Sequence, residues 1–311
     1  MILMTDVQFH ELLLRLDRII CALERIVPSG PRSEAGTPGA AQPHAVAEHA
    51  GGVAPEESSE PVTLVPDVLN RFLASRGVRV RRVPPPNPAD PVLDRLALYL
   101  GTHYQLLRDV LGSLKRTMQT GGRWQLRLAG RPQEVIGACC QFCHHLHHLA
   151  FLTEYRYHRA PRCLIEARTS PAPDVQNFLS GQWLERFIRQ QVEAAAQCVG
   201  PVSLSILANA QIILPNNDDF ELDLLVAVEK EIYWIESKTA AYQQYVRKYS
   251  QMARMFGLGA DRSFLVLAEA PAAVCPELSR LTGMTVCRPE EFHATFIQFA
   301  PGLQDPQRAA Q

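Results

Sequence analysis

The 311-residue chain has no run of 18 or more apolar residues, so no segment of it reads as a membrane-spanning helix. Its first twenty residues, MILMTDVQFHELLLRLDRII, place acids inside the apolar stretch. They lack the basic flank, unbroken apolar core and cleavage site of a secretory signal. A soluble, cytoplasmic protein is the expectation. No cysteine framework is visible either, because Cys21, Cys139, Cys140, Cys143, Cys163, Cys198, Cys275 and Cys287 are scattered in a chain too long to need disulfide staples. Reduced thiols are expected. Net charge is nearly absent at −1, from 31 Lys+Arg and 32 Asp+Glu, which argues against a globally basic nucleic-acid coat. What remains is an ordinary globular composition, 47% hydrophobic, sufficient for one or two packed cores.

The near-zero charge hides an asymmetry. Pro61 to Ser170 carry 16 Lys+Arg against 7 Asp+Glu, leaving 15 against 25 for the rest of the chain. A basic surplus on that scale suits a polyanionic partner through phosphate contacts and counterion release. A solvated basic face with no ligand is the plain alternative.

Residues 5 to 27 predict one amphipathic helix, since Phe9, Leu12, Leu16, Ile19, Leu23 and Ile26 alternate three-four spacings along a single seam. About three heptads are marginal for a lone helix. A partner chain, in a homodimer, would bury the stripe, with docking on the protein's own body as the alternative. From Pro28 to Pro61 the chain is Gly, Ala, Pro, Ser and Glu with almost no large apolar residue, which predicts a disordered tether.

Between residues 62 and 173 the pattern predicts a helix at Pro66 to Ser75, a proline-rich turn at Pro84 to Pro91, a long helix from Pro91 to Thr120 and another from Pro132 to Leu149. Two β-like runs follow, FLTEYRYH and RCLIEART. Helices before a hairpin suggest a small, winged-helix-like α+β unit. Arg156, Arg159, Arg162 and Arg168 lie on or beside that hairpin, where they are candidates for tracking a phosphate backbone. The tract CCQFCHHLHH on the preceding helix has metal-ligand residue types at i, i+4 spacing but no second ligand pair at zinc-ribbon or zinc-finger distance. The preferred reading is a packed cysteine face with exposed histidines; a structural zinc is the alternative.

Downstream, a helix at Asp174 to Gln197 precedes the apolar runs VSLSILANAQIIL, ELDLLVAV, EIYWIESK and FLVLA, with a helix at Ala241 to Phe256 between the last two. This is the α-β-β-β-α-β order of a compact α/β core. A polar turn centred on Glu229 and Lys230 sets residues whose numbers sum to 459 opposite each other, so Asp223 faces Glu236. Two carboxylates converging from apolar strands require a cation or a shared proton. Period-two alternation adds Lys238 to the face that carries Glu236.

With Glu185 on the upstream helix, these residues resemble the PD-(D/E)XK, or restriction-endonuclease-like, nuclease superfamily. GQWLE followed by ELDLLVAVEKEIYWIESK looks like the nuclease domain of CRISPR-associated effectors that act when a cyclic oligoadenylate is bound. The resemblance covers Phe178 to Ala268. It implies an α/β fold with a restriction-endonuclease-like core, a mixed central sheet flanked by helices, after the winged-helix-like unit and the N-terminal coiled-coil helix.

The same resemblance implies a role for each residue. Asp223 and Glu236 would hold Mg²⁺ or Mn²⁺ with the Ser237 carbonyl, Lys238 would position or deprotonate the attacking water, and Glu185 would bind a second metal or hold a water. From the following helix Gln244, Lys248 and Gln251 compete for an auxiliary role, with Gln251 the choice made here. Trp183 reads as core packing.

Two departures stand out. Leu222 replaces the proline of the superfamily's name, and no βαβ ligand-sensing domain precedes the nuclease, so control by a cyclic oligoadenylate does not carry over. The expected organisation is residues 1–27 heptad helix, 28–61 tether, 62–173 basic unit, 174–302 nuclease domain and 303–311 disordered tail. The expected function is metal-dependent endonuclease, on DNA ahead of RNA, in prokaryotic defence. Its rivals are a nucleic-acid-binding module with a degenerate site and an assembly subunit.

Overall fold

The computed structural model describes residues 65–198, 201–240 and 242–304. The expected heptad helix and tether, and the tail beyond residue 304, lie outside the described residues. Among the described residues no helix is long and apolar enough to cross a membrane.

The described part is a mixed α/β structure with two sheets. In chain order it runs α1 (Asp67–Ala74), β1 (Arg79–Arg82), α2 (Asp90–Thr102), α3 (Tyr104–Thr117), β2 (Arg123–Arg127), α4 (Gln133–His148), β3 (Leu152–His158) and β4 (Leu164–Thr169). Then come α5 (Pro173–Asn177), a π-helical turn (Phe178–Gln182), α6 (Trp183–Gln197), β5 (Leu204–Ile213), β6 (Asp219–Val228) and β7 (Glu231–Lys238). The chain continues through α7 (Val246–Phe256), β8 (Ser263–Leu267), α8 (Cys275–Thr282), β9 (Thr285–Cys287) and α9 (Pro289–Phe299).

Six strands form the main sheet in the order β1-β5-β6-β7-β8-β9. The pairs from β1 to β7 are antiparallel, and β7-β8-β9 are parallel. β8, of sequence SFLVL, is buried at every position because both faces of the sheet are covered. One face carries Leu225, Trp234 and Leu265 beneath Tyr249, Met252 and Phe256 of α7. On the other, Tyr233 and Phe264 meet Phe296 of α9 edge to face, at ring-centre distances of 5.3 and 5.7 Å. A two-residue turn, Glu229-Lys230, closes the β6-β7 hairpin and pairs Leu224 with Ile235 and Leu225 with Trp234, the register expected from the sequence.

The boundary expected at residues 173/174 does not separate two cores. Leu69 and Leu73 of α1 lie in the same apolar cluster as Trp234, and β1 pairs with β5 at the sheet edge. A four-residue strand of sequence RVRR shows no alternation that would have revealed it. The helix expected over 91–120 is broken at His103, whose backbone (φ −106°, ψ 19°) leaves the helical region while its Nδ1 bonds the Tyr99 carbonyl at 2.9 Å. At the other end Leu303 is buried, so the ordered chain runs past the expected limit at 302.

The second sheet has the order β2-β4-β3 and is antiparallel. The expected hairpin is its β3-β4 pair, and β2 is a strand that the sequence reading missed. Only α4 separates β2 from β3, so no pair of helices joined by a short turn leads directly into the hairpin as in a winged helix-turn-helix.

Helices α2 and α6 pack closely. Arg186 bonds Asp90 at 2.6 Å and Asp94 at 2.7 Å. A Cβ at Gly101 would stand 2.3 Å from the Phe187 ring. Gly101→Ala is therefore expected to destabilise the protein by about 1–3 kcal/mol through overpacking, read as a lower urea midpoint. An unchanged midpoint would mean that the two helices can separate at no cost.

Candidate active site

The candidate site is built at a defect in the main sheet. On β6 the residues in the apolar cluster under α7 are Phe220 and Leu222, then Leu225 and Ala227; on β5 they are Leu207, then Ala210 and Ile212. Strict alternation would keep one parity along each strand. Both strands therefore change face together, at Asn209 and at Asp223-Leu224. The register stays intact on either side, with Ala208 opposite Leu224 and Ala210 opposite Leu222. Asn209 sits at the change with φ 52°, a left-handed conformation that Asn tolerates better than most residues.

The β6-β7 ladder also ends here, its last pair being Leu224 and Ile235. One residue further, side chains replace backbone partners. Asp223 N–H donates to Glu236 Oε1 at 3.2 Å, and Ser237 N–H donates to Asp223 Oδ2 at 2.8 Å. The Ser237 hydroxyl adds a bond to Asp223 Oδ2 at 3.3 Å, and Trp234 Nε1 donates to Glu236 Oε1 at 3.0 Å. Each acid thus satisfies a backbone N–H on the other's strand, and buried backbone donors are seldom left without a partner. Ala268 N–H bonds the Lys238 carbonyl on the β8 side. Alternation along β7 then turns the Ser237 carbonyl toward the gap left by β6.

Asp223 and Glu236 are 8% and 1% exposed. Lys238 Nζ lies 3.2 Å from Asp223 Oδ2 and 3.9 Å from Glu236 Oε2. Burial, and then the charge of Asp223, push the Glu236 carboxyl well above the ordinary carboxylate range. Burial opposes the Lys238 ammonium, but Asp223 and Glu236 outweigh it and hold the group protonated well above its usual value. Lys238 Nζ also stands 5.7 Å from the centre of the Tyr249 ring.

Glu185 enters from α6, beyond the π-helical turn. The Thr239 hydroxyl, just past the end of β7, bonds the Ser180 carbonyl within that turn and ties the start of α6 to the site. Such turns are frequent at functional sites. With its amide nitrogen turned toward two acceptors, Asn209 donates to the Asp223 carbonyl and to Glu185 Oε2, both at 3.3 Å; the opposite orientation sets oxygen against oxygen. Part of Glu185 meets solvent, but its carboxyl lies in dense surroundings. Burial, then Asp223, push its pKa up to about 8.

The donor set suits a hard divalent cation. It is made of carboxylate oxygens and a backbone carbonyl, short of positive charge, as the raised Glu185 and Glu236 carboxyls show. Among the described residues no three ligand side chains close on one point, so Asp223 and Glu236 form a two-carboxylate set with Glu185 standing outside it. Mg²⁺ accepts one or two carboxylates and completes its sphere with water and substrate oxygens.

Not every expected residue arrives. Gln251 is exposed. It lies two residues past Tyr249 on α7, about 200° around the helix, and so points away from the site. Gln244 is exposed too, and Lys248 Nζ lies over the Phe220 ring at 4.6 Å. Tyr249 is the α7 residue that reaches the site. Asn209 was equally absent from the sequence reading, because a left-handed residue inside an apolar run leaves no mark in the hydropathy pattern. Trp183 is core, 1% exposed and stacked on Tyr104.

Arg156, Arg159, Arg162 and Arg168 are all exposed. Register puts Arg156 and Arg168 on the open face of the second sheet, together with Arg123 and Arg127, which the sequence reading overlooked. Glu154 bridges Arg123 at 2.8 Å and Arg168 at 3.3 Å. On α4, Cys139 and Cys143 are fully buried, and burial raises both thiols, Cys139 to about 12. The tract is a packed cysteine face with His144, His147 and His148 exposed.

No protein-family model and no curated protein matches the sequence. Solved structures that share the fold include the following two. Protein VC1899 from Vibrio cholerae is 17% identical with a TM-score of 0.53, over 76% of this chain and 62% of its own. Can2 from Sulfobacillus thermosulfidooxidans, solved in complex with cyclic tetra-adenylate, is 13% identical with a TM-score of 0.50, over 75% of this chain and 60% of its own. The chain spans less than two thirds of either protein.

The raised Glu185 carboxyl generates a pH dependence. It keeps its proton in the folded chain up to about pH 8, whereas it ionises near pH 4.3 when unfolded, so folding binds a proton between those values. Stability of the metal-free protein is expected to fall as pH rises through that window. Thermal melts should show a declining Tm, with a shallower decline in Glu185→Gln. Equal slopes would place the titrating group elsewhere.

Proposed function

We propose that this chain is a divalent-metal-dependent endonuclease of the PD-(D/E)XK type, hydrolysing phosphodiester bonds of nucleic acid, with DNA favoured over RNA and prokaryotic defence as the setting. The observation that carries this reading is the meeting of Asp223, Glu236 and Lys238 where β6 and β7 part. Its support is the resemblance of GQWLE and ELDLLVAVEKEIYWIESK to the nuclease domain of cyclic-oligoadenylate-activated effectors, together with the fold shared with Can2. The open face of the second sheet, through Arg156 and Arg168, and the β3-β4 turn, through Arg159 and Arg162, would receive the phosphate backbone. Pairing of two chains through the heptad helix would present two sites to a duplex.

Asp223, Glu236 and the Ser237 carbonyl would hold Mg²⁺ or Mn²⁺. The ion supplies Lewis acidity that activates water and offsets charge on the phosphate. Lys238 is the cationic group of the site. Asp223 and Glu236 favour its ammonium form in the metal-free site, and it would hydrogen-bond a non-bridging phosphate oxygen and stabilise the charge developing there. Asn209 orients Glu185, whose carboxylate would accept a hydrogen bond from the attacking water or coordinate a second cation. Trp234 fixes Glu236 through its Nε1 donor.

Plasmid, single-stranded DNA and structured RNA, each incubated with Mg²⁺ or Mn²⁺, test the proposal. Wild type should cut at least one of them, chelation should stop it, and Asp223→Ala and Lys238→Ala should each lower the rate by about 100-fold or more at matched folding. Salt-sensitive binding of nucleic acid without cutting would favour the binding module. Cutting that survives Asp223→Ala would place the chemistry at another site.

A further inference from the structure

The Cys/His tract of α4 takes no part in the proposed nuclease site, and its histidines are arranged in a way that the sequence did not show. His144 and His148 are one turn apart on the exposed side of the helix, and their Nε2 atoms share a hydrogen bond at 3.0 Å that a bound ion would replace. Imidazole nitrogens bind transition ions at about 2.0–2.1 Å. Two such bonds to nitrogens that far apart enclose an angle of about 94° at the ion, near the right angle between neighbouring positions of a square-planar or octahedral sphere.

We propose that His144 and His148 form a bidentate site for a borderline divalent transition ion, Cu²⁺ or Ni²⁺ ahead of Zn²⁺. The preference follows from the angle, since Zn²⁺ favours a wider tetrahedral one, and from the affinity order of first-row ions for nitrogen donors. Among the described residues no group of three ligand side chains forms around them, and water can complete the ion's sphere. The cysteines of the tract do not compete, because Cys139 and Cys143 are buried and held as thiols. His147 stands outside the pair, its Nδ1 bonding the Leu152 carbonyl at 3.0 Å.

The site has a structural consequence. It would cross-link the last turn of α4, the helix that backs β3 through the Tyr155 hydroxyl on the Cys140 carbonyl at 3.2 Å. Occupancy would therefore stiffen the support of the arginine-bearing sheet. It is independent of the nuclease reading, because its ligands are nitrogen donors outside the carboxylate cluster.

Calorimetric titration of the full-length protein with Ni²⁺, in excess Mg²⁺ so that the hard-oxygen ligands are occupied, tests the inference. Binding is expected to weaken at least tenfold in His148→Ala and equally in His144→Ala, and to stay within twofold in His147→Ala. Both ligand positions are exposed, and circular dichroism checks the fold of each variant. With Cu²⁺, electron paramagnetic resonance should report two nitrogen donors in wild type and one in His148→Ala. Wild-type affinity in His148→Ala and His144→Ala, or an equal loss in His147→Ala, would overturn the assignment.

Discussion

Two carboxylates and one ammonium share a nearly dry space where two strands stop pairing, and the rest of the site depends on that exchange. Burying Glu236 beside Asp223 would be prohibitive without compensation, because like charges repel most strongly where water is excluded. Lys238 supplies the charge, and the N–H groups of Asp223 and Ser237 supply the hydrogen bonds. The relation is reciprocal. The strands can part only because the acids satisfy the donors released, and the acids can be buried only because those donors are there.

This exchange explains the surrounding architecture. The change of face on β5 and β6 turns Asp223 from a core position toward β7, and it opens the sheet where α6 can bring Glu185. The π-helical turn before α6, anchored through Thr239, sets the start of that helix against the end of β7. Ion pairs from Arg186 to α2, and the close approach at Gly101, fix α6 from its far side. Residues far apart in sequence are thus held together by packing on both faces of one sheet.

Part of this was legible in the sequence and part was not, for physical reasons. The β6-β7 register was readable because a two-residue turn fixes every pair that follows it, so the opposition of Asp223 and Glu236 came from numbering alone. The boundary at 173/174 was misread because β1 declares itself only through a partner strand distant in sequence. Gln251 was misplaced because the phase of α7 is set by its buried face, and an error of two residues turns a side chain to the opposite surface. Asn209 and Tyr249 were invisible for related reasons: one acts through a backbone angle, the other as one aromatic among several. The arginine face was half seen, since Arg123 and Arg127 join it only once β2 is paired.

Asp223 and Glu236, at the parted strands, are proposed to hold a divalent cation. Calorimetric titration of metal-free protein with Mn²⁺ near neutral pH, in buffers of different ionisation enthalpy, tests this most directly. Binding is expected with net proton release, because the raised Glu236 and Glu185 carboxyls give up protons when a cation arrives, and both are expected to be lost in Asp223→Ala. Mn²⁺ binding with the same affinity and proton count in Asp223→Ala, or no binding by folded wild type, would contradict it.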